Sequence, residues 1–160
     1  MPLVVSNSSP IIHLAKIGKL DLLSMYYGQL LVPQAVWQEC TTASTGRDEI
    51  EHIRCASWIN TVKIHDRIVT LLRHDIDQGE AEAIALAIER KASLLLLDDA
   101  EAREKARLYH LPVTGTVGVL LRAHKEGLIP SFRDVLRDLS LSGFWLNPKL
   151  AEKLIAEVGE

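Results

Sequence analysis

Leu94-Leu95-Leu96-Leu97 runs directly into Asp98-Asp99. Four leucines without alternation predict a parallel strand covered on both faces. Two carboxylates then stand where that strand leaves the sheet, and in open α/β sheets ligands bind beyond the carboxyl ends of the strands. Other polar groups reach the same edge. Asn7 follows a first short strand, Leu3-Val4-Val5-Ser6. Glu80 lies in the first turn of the helix that feeds the leucine strand; a crossover helix runs antiparallel to the strands, so its start shares their carboxyl edge. Thr114 and Thr116 follow a last short strand. Glu39 sits about two turns into its helix, and topology places it less firmly. Mg²⁺ and Mn²⁺ take hard oxygen ligands of this kind. Held together without a cation, such carboxylates repel one another and some protonate. A bound ion would polarise a phosphodiester and lower the pKa of an attacking water.

Each group also has a plainer role. Asp99, and with it Asp98, can cap the helix that starts at Ala100. Glu80 and Glu82 can favour the dipole of their own first turn. Glu39 alone reads as a solvated helix residue, Asn7 as a turn former, and the Ser8 and Ser9 hydroxyls as helix caps. The six histidines show no metal-ligand spacing. Gly115-Thr116-Val117-Gly118 enters a helix and can cradle a phosphate or simply make a tight turn; it lacks the Lys-Ser/Thr of a P-loop.

The elements that must position these groups alternate between strand and helix. After the first strand, Asn7-Ser8-Ser9-Pro10 leads into a helix over Ile11–Ile17, and Lys19–Tyr27 forms a second. Leu30–Val32 is a strand, after which Pro33 opens a helix ending near Cys40. Thr41–Arg47 is polar and loop-like. A helix over 48–56, a strand over 58–64 and a short helix over 66–73 follow. Asp77-Gln78-Gly79 reads as a turn. Glu80–Lys91 is the clearest helix, with small apolar residues from Ala81 to Ile88. Beyond the leucine strand come a charged helix over 100–109, a strand over 112–114 and a helix over 117–126. Two last helices lie near 131–140 and 148–158. This order predicts a three-layer α/β/α sandwich around a central, mainly parallel sheet.

The chain has 160 residues, 48% of them apolar and 24% charged, which fits a single globular domain over 1–160 with 131–160 as a C-terminal helical extension. No apolar stretch is long enough to span a bilayer, and the first residues lack the basic region of a signal peptide. Cys40 and Cys55 form no CxxC motif, which points to reduced thiols and a cytoplasmic location. The net charge of −3 excludes a basic nucleic-acid coat protein. It does not exclude a nuclease, because a bound cation reverses the local charge. The apolar helices over 11–17 and 20–27 can form an interface or pack into the core.

Several stretches, in this order, resemble a PIN domain, and especially the VapC-like branch of toxin ribonucleases that pair with an antitoxin. They are Val4 to Ile12, Val32 to Glu39, Asp77 to Ala87, Leu94 to Arg103 and Val113 to Leu121. The resemblance implies a central parallel sheet, a site of three or four acidic residues, Mg²⁺ or Mn²⁺, and hydrolysis of RNA by a metal-activated water. It implies an antitoxin protein as partner, with a homodimer as a further expectation. Carried over by position, the second acidic residue is Glu39, the third Glu80 and the fourth Asp98, with Asp99 as the competing alignment. Ser9 matches the hydroxyl that supports the first acidic residue, and Thr116 and the helix behind it would meet the RNA backbone. The first acidic position is the departure: the family's motif has aspartate, and this chain has Asn7. An amide oxygen can still face a cation but brings no charge. The resemblance therefore implies a metal-dependent ribonuclease, or a PIN fold with weak or lost catalysis that binds nucleic acid or protein. Arg103 is a basic residue near the same edge, placed to hold a phosphate or to pair with Glu101 or Glu104. A receiver-like signalling domain also uses paired aspartates, but places them after the first strand, where this chain has Asn7-Ser8.

Overall fold

A computed structural model describes residues 2–42, 47–65 and 67–160. Five strands form one parallel sheet: β1 (Val4–Ser6), β2 (Leu30–Pro33), β3 (Ile59–Val62), β4 (Leu94–Leu96) and β5 (Val113–Thr114), in the order β3-β2-β1-β4-β5. Between and after them run α1 (Ser8–Lys16), α2 (Asp21–Tyr27), α3 (Gln34–Thr42), α4 (Arg47–Arg54), α5 (Arg67–Leu72), α6 (Gln78–Arg90), α7 (Ala100–Leu108), α8 (Thr116–Lys125), α9 (Phe132–Leu141) and α10 (Pro148–Glu157). The expected three-layer parallel architecture is the one observed.

Successive side chains of a strand point to opposite faces, and this alternation splits the core in two. Val4 and Leu96 join Leu30 and Val32 on one face, packed with Ile11, Leu14, Leu20, Leu23, Val119 and Phe132. Val5, Leu95 and Leu97 lie on the other, under Ile84, Leu86 and Ala102. Ile11 and Leu14 of α1 and Leu22 and Leu23 of α2 are therefore core residues, whereas Met25 of α2 stays exposed. So are Phe132, Val135, Leu136 and Leu139 of α9 and Ile155 of α10, which belong to the first cluster. Glu160 ties the last helix down, accepting from the Phe132 N–H (2.7 Å) and the Ser131 hydroxyl (2.8 Å).

The sheet grows outward from its middle. β1 pairs with β2 on one side and β4 on the other, with Val4, Val5 and Ser6 opposite Leu94, Leu95 and Leu96. The connection from β3 to β4 crosses to the far side of β1, so a crevice opens between the carboxyl ends of β1 and β4. Two backbone hydrogen bonds extend the ladders past the strands: Asn7 N–H to Leu96 O (2.9 Å) and Leu97 N–H to Thr114 O (2.8 Å). They fix Asn7 at the crevice, with Asp98 one residue beyond the second bond.

Local details differ from the sequence expectation. Pro33 ends β2 rather than opening α3, which begins at Gln34. α1 begins at Ser8, three residues before the apolar run over Ile11–Ile17, and Pro10 stands within its first turn, as the Asn7-Ser8-Ser9-Pro10 turn allows, where a missing N–H costs nothing. Asp77-Gln78-Gly79 is not a free turn: Asp77 is the N-cap of α6 and the other two are its first helical residues. The polar stretch expected as a loop carries α3 through Thr42 and α4 from Arg47; positions 43–46, like 66, lie outside the described residues.

Leu95 is fully buried at the centre of the second cluster. Leu95→Ala is expected to cost about 2–5 kcal/mol of stability, read as a lower urea midpoint at unchanged slope.

Candidate active site

Asp98 gathers three donors. The Ser9 hydroxyl of α1 donates to Oδ2 (2.7 Å), the Thr116 N–H at the head of α8 donates to Oδ1 (2.7 Å), and the Thr116 hydroxyl donates to Oδ2 (2.7 Å). The carboxylate thus joins the end of β4 to the starts of α1 and α8. Gly115 permits this approach, since a Cβ there would stand 2.6 Å from Asp98 Oδ1. Asp99 makes the ordinary cap instead, accepting the Ala102 N–H at 2.9 Å.

Thr116 is fully buried, and its two donors are taken by Asp98. The expectation that it meets an RNA backbone is therefore corrected: Thr116 holds the site from behind. Ser8 and Ser9 are not caps either. Ser8 donates to Glu39 Oε2 (2.8 Å) and Ser9 to Asp98. One helical turn thereby holds two carboxylates from different parts of the chain.

Asn7 occupies the N-cap position of α1 but makes no side-chain cap bond. It is 5% exposed, and its amide oxygen has no hydrogen-bond partner among the described residues. Glu39 stands beside it. A Cβ built on Gly79, at the head of α6, would collide with Glu39 Oε1 and lie 3.5 Å from Asn7 Oδ1. The glycine leaves room for the Glu39 carboxylate, and the unpartnered oxygen faces the same space.

Glu80 is 8% exposed. It completes a capping box, its N–H donating to Asp77 Oδ1 (2.8 Å) and its Oε1 accepting from the Asp77 N–H (3.2 Å). Burial, then the charge of Asp77, pushes its carboxyl up to about 7, with Asp99 adding in the same direction. Burial also raises Glu39; the Ser8 bond opposes it, and the charges of Asp77 and Glu82 reinforce it. Glu82, expected to favour the dipole of its own helix, is buried and bonded to Gln78.

Asn7, Glu80, Asp98 and Asp99 line one cleft of about 670 Å³, together with Asp77, His13 and Arg103. Glu39 lies behind this lining, against Gly79 and Ser8. Arg103 makes no ion pair among the described residues, so the expected pairing with Glu101 or Glu104 is not seen; its guanidinium points toward Gly115. Asp77 and His13 escaped the sequence reading. The capping spacing Asp77-x-x-Glu80 was the signal for the first; for His13 the sequence holds none, because helix α1 alone aims it at the cleft. Burial and Lys16 lower the His13 pKa, against the pull of Asp98.

This fold and this acidic edge place the chain in a class. A family model for the PIN domain (DUF3368) matches residues 3–160, and the chain belongs to that family. It is also similar in structure to a PilT N-terminus domain protein of the hyperthermophilic archaeon Sulfolobus solfataricus P2. The TM-score is 0.55 and the identity 17%, over 76% of this chain and 92% of that one, a likeness of fold. No curated protein matches the chain. PIN domains are typically nucleases and generally use divalent metals. Among the described residues, no three His, Cys, Asp or Glu side chains stand close enough to hold an ion together. The donors that fit a hard cation are the unpartnered Asn7 oxygen and the adjacent Glu39 carboxylate, with Glu80 and Asp98 on the cleft wall.

Two outcomes follow from the geometry. Gly79→Ala is expected to displace Glu39 and weaken Mn²⁺ binding, read by calorimetry, while the melting temperature holds or rises, because alanine favours a helix by about 0.5–1 kcal/mol over glycine. Glu80 holds its proton more tightly folded than unfolded, so its stabilising contribution is present below the unfolded value and lost as pH rises through about 7. Glu80→Gln keeps a capping-box side chain. In EDTA it should raise the melting temperature by about 2–8 °C at pH 8 and far less at pH 5; an equal effect at both pH values would refute the buried charge.

Proposed function

We propose that the chain is a metal-dependent endoribonuclease that hydrolyses RNA phosphodiester bonds. The observation that carries this reading is the buried, unpartnered oxygen of Asn7 beside Glu39, at the crevice between β1 and β4. A buried polar atom without a partner is costly, and a cation coordinated there would satisfy it while favouring the charged forms of Glu39 and Glu80, which burial first and neighbouring charge second disfavour. Mg²⁺ or Mn²⁺ would be held by Asn7 and Glu39, with Glu80, Asp98 and Asp99 within the same acidic edge. Such an ion supplies a Lewis acid and an activated water. The protein's own residues do the rest. Asp98 fixes the cleft wall through Ser9 and Thr116. Glu80 gives up its proton when positive charge arrives. Arg103 offers a cation to the phosphate.

The role of toxin and the antitoxin partner are part of this proposal, and the order of the VapC-like motifs supports them; a homodimeric state and a cytoplasmic setting are proposed with them. No helix among the described residues is long and apolar enough to cross a membrane.

A second reading has its own observation. Asn7 contributes no charge where the family's motif carries aspartate, and three acidic ligands are not assembled among the described residues. This favours a PIN module with low metal affinity that binds nucleic acid or protein without cutting.

Cleavage of a mixed single-stranded RNA pool separates the two. A nuclease requires Mn²⁺ and loses activity in Glu39→Gln and Asp98→Asn. Cleavage that survives both substitutions, or none at all, favours the non-cutting module. Asn7→Asp is expected to tighten Mn²⁺ binding about tenfold or more by calorimetry, since ligand charge sets affinity at such sites; unchanged affinity would remove Asn7 from the ion.

A further inference from the structure

One wall of the acidic cleft is not acidic. It is built by the segment that joins α9 to α10, and Phe144, Trp145 and Leu146 all line the cavity. The segment alternates. Phe144 and Leu146 pack against the first apolar cluster, whereas Trp145 is 79% exposed. Its exposure is held in place from both sides. Phe144 meets the His13 ring edge-on, with centroids 5.1 Å apart at 85°. Ser142 is tied to α1 twice, by its hydroxyl to His13 Nδ1 (3.2 Å) and by its carbonyl to the Lys16 ammonium (3.2 Å). Asn147 caps α10 through the Lys149 N–H (2.9 Å). The indole is thus presented outward over the cleft by anchored neighbours.

Arg103 lines the same cleft, partly buried and without an ion pair among the described residues. It also lines an adjoining groove of about 400 Å³ along α7, where Arg107 stands among Asp98, Glu101 and Glu104. An aromatic face and an uncommitted guanidinium in one cleft are the two elements that bind single-stranded nucleic acid: bases stack on the ring and phosphates meet the cation. A protein partner would use the indole as well. It would have less use for a cation set beside buried carboxylates, whereas a phosphodiester needs one there.

We infer that Trp145 is a base-stacking subsite for single-stranded RNA, with Arg103 taking an adjacent phosphate of the same strand. This rests on the ribonuclease reading above and names how its substrate is held. The subsite would act on any base, because every base has a π-face.

The test is fluorescence anisotropy with a fluorescein-labelled single-stranded RNA dodecamer in Ca²⁺, for the wild-type protein and for Trp145→Ala, Trp145→Phe and Trp145→Leu. Trp145→Ala is expected to weaken binding about 5- to 100-fold. Trp145→Phe should stay within about threefold, and Trp145→Leu should resemble the alanine variant, because stacking needs a ring rather than apolar area. On a dodecamer with abasic positions, wild type and Trp145→Ala should bind alike. Arg103→Gln should flatten the slope of log K against log salt by about 0.7, one phosphate contact on a single strand. Equal affinity of all Trp145 variants, or a leucine variant as good as phenylalanine, overturns the subsite. Parallel cleavage assays in Mn²⁺ keep the two readings apart. Cleavage with no effect of Trp145 on binding overturns the subsite alone. Ring-dependent binding without cleavage supports the subsite and overturns the nuclease. No RNA binding by the wild-type protein overturns both.

Discussion

Asp98 is the side chain on which the geometry of this protein's functional edge depends. Its carboxylate accepts from Ser9 and from both donors of Thr116. Those bonds bring together a strand end and two helix starts that lie more than a hundred residues apart in the chain. Thr116 is fully buried, so losing Asp98 would strand two donors away from water, at the full desolvation cost of each. Gly115 completes the arrangement by leaving no side chain between the carboxylate and the head of α8.

A second constraint runs beside the first: negative charge is crowded into a place where water is scarce. Glu39 and Glu80 respond as buried carboxylates do, with raised proton affinity, and for both, burial is the leading cause. Asn7 eases the crowding, since an amide in its place brings no charge. It also leaves an oxygen without a partner. Stability without a cation and affinity for a cation pull in opposite directions at this position, and the asparagine sets the balance toward the first. Cys40, next to Glu39, shows the same environment: its thiol is pushed up to about 12 by burial and by the neighbouring charge.

The C-terminal helices give the cleft its other character. α9 and α10 bury apolar residues in the first core cluster, and the short segment between them turns an aromatic wall toward the carboxylates. The cavity therefore combines an acidic floor, a guanidinium and an exposed indole, a mixture suited to a ligand that carries both phosphate and planar rings.

Much of this was legible in the order of residues. Local patterning sufficed for the alternation of strands and helices, the parallel sheet and the placement of Asn7, Glu80 and Asp98 on one edge. A leucine run without polar alternation must be covered on both faces, and a crossover helix must start where strands end. The resemblance of short motifs added Glu39 to that set. What local patterning could not carry was the allocation of hydrogen-bond partners. Asp98 and Asp99 are adjacent and chemically equal, yet one becomes the hub of three long-range bonds and the other a cap, because only Asp98 faces Ser9 and Thr116 across the sheet end. Ser8 and Ser9 satisfy every local rule for caps, but their partners lie 31 and 89 residues away. Arg103 has glutamates two residues before and one after it, spacings that do not face it on a helix, and it makes no ion pair among the described residues; its guanidinium lies toward Gly115. Trp145 in sequence is one aromatic residue in a tail, and only the packing of Phe144 and Leu146 on either side turns it outward. Periodicity and strand ends are properties of neighbouring residues and can be read along the chain. Which donor meets which acceptor depends on distant segments meeting in space, and only the folded structure decides that.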